Sequence, residues 1–126
     1  MRNELDNRLC VTFPEIFCDR YSDKTLTAMC WGFECGDGWY DLIYNLCGDI
    51  MSYCNSTGYP VPQAVQVKEK YGTLRFYVDQ GDDHIYDLIS YYSQRSRTTC
   101  ETCGNIGKMR GNGWLYVSCE QHLKDY

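Results

Sequence analysis

Four residues near the end of the 126-residue chain have the types and spacing of metal ligands. Two residues separate Cys100 from Cys103, two separate Cys119 from His122, and fifteen lie between the pairs. Zinc takes four soft or borderline donors in a tetrahedron, and donors three positions apart reach it from one tight turn. Gly104, directly after Cys103, lets the backbone curl so that its amides donate to the thiolates, as in a zinc knuckle. Reduced thiols beside an incidental histidine fit this spacing less well. Four protein donors close the coordination shell, whereas hydrolytic sites keep a position open for water. The pattern therefore predicts one structural Zn2+, standing in for core in a segment too short to bury one.

A second set of side chains suits anions. With Tyr71–Gly72 as a two-residue turn, Lys70 falls opposite Thr73, Lys68 opposite Arg75 and Gln66 opposite Tyr77. Two cations facing each other across a strand pair are unfavourable unless something compensates. Lys68, Lys70, Arg75 and Tyr77 thus form a candidate phosphate-binding face. Arg grips the phosphate bidentately, Lys adds point charge and Tyr stacks on a base. Arg95, Arg97, Lys108 and Arg110 extend the patch if the zinc module folds back beside it. The competing reading pairs Lys68 and Arg75 with Glu34, Asp37 or Asp41, or leaves them on a solvated sheet face.

The remaining candidates have simpler explanations. Cys30 and Cys35 are five apart but lack a partner pair, since Cys10, Cys18, Cys47 and Cys54 are scattered. GDGW (36–39) resembles a phosphate loop only loosely, and helix capping by Asp37 accounts for it. Glu34, Asp37 and Asp41 have no neighbouring nucleophile, and His84 opens a helix and reads as exposed. No catalytic residues are identified.

The elements that position these groups follow from periodicity. Apolar residues at Leu5 and Leu9 predict a helix over about 3–10, stopped at Phe13–Pro14. Residues 15–33 read as a short helix and loop. Trp39, Leu42, Ile43, Leu46, Cys47, Ile50 and Cys54 mark one face of a helix over about 38–54, with Asp37 as its N-cap. Residues 64–78 read as a β-hairpin whose other face pairs Val65 with Val78, Val67 with Phe76 and Glu69 with Leu74. A helix over about 82–96, capped by Asp82 or Asp83, turns Ile85, Leu88, Ile89 and Tyr92 inward. Gly111-Asn112-Gly113 predicts a second small hairpin, and EQHLKDY a terminal helix carrying His122 in its first turn. The sum is an α+β domain over 1–97, with helices packed on a small antiparallel sheet. A treble-clef-like zinc finger over 98–126 follows it.

The formal net charge of −5 opposes a non-specific DNA coat. Residues 1–63 carry nine acids against four bases, while residues 64–110 carry seven bases against six acids. Any anion-binding surface is therefore expected in the second half. No apolar run approaches the roughly 20 residues that span a bilayer, and MRNELDNRLC lacks the apolar core of a secretory signal. Nine cysteines, an odd number, are thus expected in a reducing compartment.

Three separated blocks occur in one order: FECGDGWYDLI (33–43), VKEKYGTLRFYV (67–78) and CETCGNIGKMRGNGWLYVSCEQH (100–122). Through them the chain from Phe33 to His122 resembles a group of small proteins encoded by tailed bacteriophages and prophages. The resemblance implies context more than a reaction. The context is a phage accessory protein acting in the host bacterial cytoplasm, of the kind that often counters host defence. Several such groups sequester nucleotide immune signals, which suits a non-enzymatic chain binding a phosphate-bearing small molecule. Three alternatives remain. One is a nucleic-acid-binding or transcription-linked zinc protein using Arg95, Arg97, Lys108 and Arg110. Another is an interaction module that inhibits a host enzyme through its tyrosines. The third is an enzyme built on Glu34, Asp37 or Asp41 with a divalent metal besides zinc. A second copy of the chain is a further possible partner.

Overall fold

Short amphipathic runs give three α-helices in the computed structural model, which describes residues 1–22 and 27–124. They are α1 (Asn3–Thr12), α2 (Tyr40–Thr57) and α3 (Asp83–Ser96). On α2 the residues at helical spacing, Leu42, Ile43, Leu46, Cys47, Ile50 and Cys54, are all buried. Helix α3 begins where the Asp82 carboxylate accepts from Ile85 N at 3.0 Å, and it buries Ile85, Tyr92 and Ser96. Two tyrosines tie α2 to α3. Tyr92 donates to Asp49 Oδ2 at 2.6 Å, and Tyr53 donates to Asp82. No described helix is long and apolar enough to cross a membrane.

The main sheet has three strands in the order β1 (Phe33–Glu34), β2 (Ala64–Lys70) and β3 (Thr73–Val78). Strands β2 and β3 pair antiparallel, with Lys70 opposite Thr73, Lys68 opposite Arg75 and Gln66 opposite Tyr77. Tyr71 (φ 55) and Gly72 (φ 75) form the turn, both in the left-handed region that a type I′ hairpin needs. The expected pairing of Val65 with Val78 does not form. A bulge between Ala64 and Gln66 brings Ala64 opposite Val78, fully buries Ala64 and leaves Val65 half-buried. Strand β1 runs parallel to β2, with Glu34 beside Lys68. Two residues are too few to give a periodic signal.

Helix α3 lies along the outer edge of β3. Ser96 Oγ accepts from Leu74 N and Ser93 Oγ donates to Leu74 O, both at 2.9 Å. Phe17 packs edge-on against Phe33 and Phe76, joining the sheet to the segment after α1. A short helix and loop are expected there, over 15–33. The segment instead forms turns through residue 21 and a 3-10 turn over Ala28–Trp31. Residues 23–26 lie outside the described residues. The second sheet pairs β4 (Lys108–Arg110) with β5 (Tyr116–Ser118), flanking the glycine turn at 111–113. The expected terminal helix is instead one 3-10 turn over Glu120–His122, with Leu123 extended. Residues 125 and 126 lie outside the described residues.

One buried ion pair anchors α1. Arg20 Nε and Nη2 donate to both oxygens of Asp6 at 2.9 to 3.2 Å, and Nη1 donates to Cys30 O at 2.9 Å. The two side chains are 18% and 9% exposed, so water screens the pair little. Asp6→Ala leaves the guanidinium unpaired, and a loss of about 3 kcal/mol is expected in urea denaturation. A loss below about 1 kcal/mol would show that Arg20 finds solvent instead.

Candidate metal centre

The chain from Cys100 to Gly104 turns tightly. Gly104 N donates to Cys100 O at 2.9 Å, and Cys100 N donates to Asn105 O at 2.7 Å. The β4–β5 hairpin then returns the chain, and Glu101 N donates to Val117 O at 3.1 Å. These bonds bring Cys100, Cys103, Cys119 and His122 together, with their donor atoms within 4.8 Å of one another. Cys103 Sγ lies 3.7 Å from Cys119 Sγ. His122 Nδ1 lies 3.2 Å from Cys119 Sγ and 3.8 Å from Cys100 Sγ.

The four residues can hold a metal ion. A tetrahedral zinc with arms of about 2.3 Å to sulfur places its sulfurs about 3.7 Å apart, and the observed separation fits. Burial opposes ionisation of Cys100. Backbone N–H groups of Cys119, Cys103 and Thr102 nevertheless aim at its sulfur, and its pKa falls to about 6. Cys100 is buried, Cys119 and His122 are half-buried, and Cys103 is exposed. Among the described residues no other group of three or more His, Cys, Asp or Glu side chains has ligand geometry. Cys30 and Cys35 therefore make no second centre, and burial raises the Cys35 thiol to about 12. Glu34, Asp37 and Asp41 do not converge on a metal site either. His84 is exposed, stacked 4.2 Å from the Tyr53 ring.

The GDGW segment is neither a phosphate loop nor a helix cap. It is the seat for the knuckle. Gly38 N donates to Glu101 O at 2.7 Å, Gly36 N to Glu101 Oε2 at 2.9 Å, and Trp39 Nε1 to Thr99 O at 2.9 Å. A Cβ on Gly38 would overlap Cys100 O, and one on Gly36 would overlap Glu101 O. Burial raises the Glu101 carboxyl pKa, with the Gly36 amide opposing that shift. Asp37 makes no side-chain cap to a helix; its Oδ1 accepts from Arg2 N at 2.8 Å. The paired glycines ahead of Trp39 were the available signal for this seat. Thr99 and Glu101 left none, because their partners lie sixty or more residues away.

The cationic face is real in register but divides in space. Arg75 and Tyr77 line a groove of about 300 Å³ between β3 and α3, with Tyr86, Ile89, Ser90 and Gln94. Lys70 lines a different cleft, and Lys68 lines neither. Neither Lys68 nor Arg75 forms an ion pair among the described residues. Asp37 is turned to Arg2, and Glu34 meets Gln66 Nε2 at 3.5 Å. Arg75 Nε is buried without a hydrogen-bond partner. Arg110, by contrast, is committed beside the Cys/His cluster. Its Nε donates to Ser118 O at 3.1 Å and its Nη2 meets Glu120 at 3.3 Å. Arg95 lies 5.9 Å from the Tyr91 ring.

No family model, curated protein or solved structure matches the chain.

The seat can be tested by a pair of glycine substitutions. Gly38→Ala must move backbone, and is expected to cost about 3 kcal/mol in denaturant unfolding and to weaken metal retention against a chelator. Gly48, inside α2, has open space where a methyl group would go, with nothing within 4 Å. Gly48→Ala is therefore expected to stabilise by about 0.5 to 1 kcal/mol. Equal effects at the two positions would remove the seat.

Proposed function

We propose that this chain is a zinc-stabilised, non-enzymatic binding protein whose ligand carries phosphate and sits in the groove between β3 and α3. One observation carries the reading: Arg75, whose Nε is buried and unpartnered, lines that groove. A buried donor on a cation costs free energy until an acceptor meets it, and a phosphate oxygen is the acceptor that suits a guanidinium best. Tyr77 and Tyr86 offer ring faces for the rest of the ligand, and Ser90 and Gln94 offer further polar groups. Lys68, directly across from Arg75, adds positive charge beside the groove without lining it.

The metal in this reading is zinc, with Cys100, Cys103, Cys119 and His122 as a closed structural shell. The module is a shortened treble clef: a knuckle, the β4–β5 hairpin and a single terminal turn. In this reading the resemblance of the three blocks to phage and prophage proteins supplies the biological setting. There the protein would act in the bacterial host, sequestering a nucleotide signal of host defence. Metal analysis is expected to return one zinc per chain, and Cys103→Ser to lose zinc and solubility together.

Binding is tested by thermal shift against cyclic dinucleotides, ADP-ribose and short oligonucleotides. A ligand at about 100 times its Kd stabilises by about 2.7 kcal/mol, several degrees in Tm for a chain of this size. One probe is expected to give that shift, and Arg75→Ala to abolish it without changing the Tm of the free protein by more than a few degrees. If no probe shifts the melting temperature, or Arg75→Ala responds like the parent, the groove is not a phosphate site.

A further inference from the structure

Two hairpin tips from different sheets meet at a cleft of about 310 Å³. The β2–β3 hairpin contributes Glu69, Lys70 and Tyr71, and the β4–β5 loop contributes Gly113, Trp114 and Leu115. The tips are braced against each other, since Met109 Sδ occupies the space a side chain on Gly72 would need. Tyr71 and Trp114 are 67% and 69% exposed, so neither ring is there to fill the core.

Tyr71 also has the one positive φ among the described non-glycine residues. Its position in a type I′ turn favours Asn or Gly. A tyrosine there costs folding free energy and returns little burial. Strained backbone that presents an exposed ring is a reason to look for a ligand. The charges of the cleft narrow its class. Glu69 Oε2 is engaged, accepting from Gly72 N at 2.6 Å, while Lys70 Nζ lies 5.6 Å from the Tyr71 ring centroid. A cation at the rim opposes the other common use of exposed aromatics, the caging of an ammonium group.

We infer that this cleft binds a nucleobase carrying a phosphate, with the base against Tyr71 and Trp114 and the phosphate on Lys70. Every nucleobase has a π-face, so stacking needs rings and tolerates sequence, and Lys supplies point charge to the phosphate. No residue lines both this cleft and the Arg75 groove, so the inference does not rest on the proposed function.

The test is a titration of tryptophan fluorescence with AMP, adenosine and ribose 5-phosphate, supported by calorimetry. AMP is expected to change the emission saturably, and Trp114→Phe to remove that change. Tyr71→Asn suits the turn better, so its Tm should rise while AMP binding weakens about tenfold or more. Lys70→Ala should weaken the AMP response of the Trp114 emission several-fold and leave the adenosine response unchanged. A short adenine oligonucleotide that competes more tightly than AMP would identify a single strand as the natural source; equal competition would identify a free nucleotide. No saturable response to millimolar AMP overturns the inference. So does full affinity in Tyr71→Asn, or ribose 5-phosphate competing as well as AMP.

Discussion

The contact on which the rest depends is Gly36–Trp39 pressed onto Thr99–Gly104. Three hydrogen bonds cross it, and the missing side chains of Gly36 and Gly38 make room for them. Trp39 is fully buried and stands at the entrance of α2, so one indole belongs both to the central core and to the metal module. The turn that carries the candidate metal ligands is therefore seated on the start of the longest helix. What fixes one fixes the other.

That arrangement explains which parts of the fold were legible in the sequence. The α2 face and the hairpin register follow from local periodicity, where each residue reports on its neighbours two to four positions away. The four clustered cysteine and histidine side chains follow from spacing that only ligand chemistry requires. The knuckle seat reads as a helix cap from sequence alone. Asp37 has the right residue type for capping, but its carboxylate is drawn to Arg2 N across 35 positions. Strand β1 and the Ala64 bulge were invisible for a similar reason, since each is set by a partner strand and not by its own pattern.

The arginines show how placement sorts one residue type into different roles. Arg20 is locked on Asp6, and Arg110 is spent on Ser118 O and Glu120. Both are structural. Arg75 alone of these three has a buried, unpartnered nitrogen beside a groove. Its sequence neighbourhood made it one of three cations on a face shared with Tyr77. Three-dimensional placement separates it from Lys68 and Lys70, and sets it beside Tyr86, Ser90 and Gln94 of α3.

The serine contacts along β3 have a consequence for how copies of the chain meet. A free strand edge is a template on which another chain can add, and it is the usual route into ordered aggregates. Here Ser93 and Ser96 occupy the outward backbone groups of Leu74, and the opposite edge of the sheet is a strand of only two residues. Both borders are blunted without a proline in either edge strand. Little free edge is thereby left on which the strand of another copy could add.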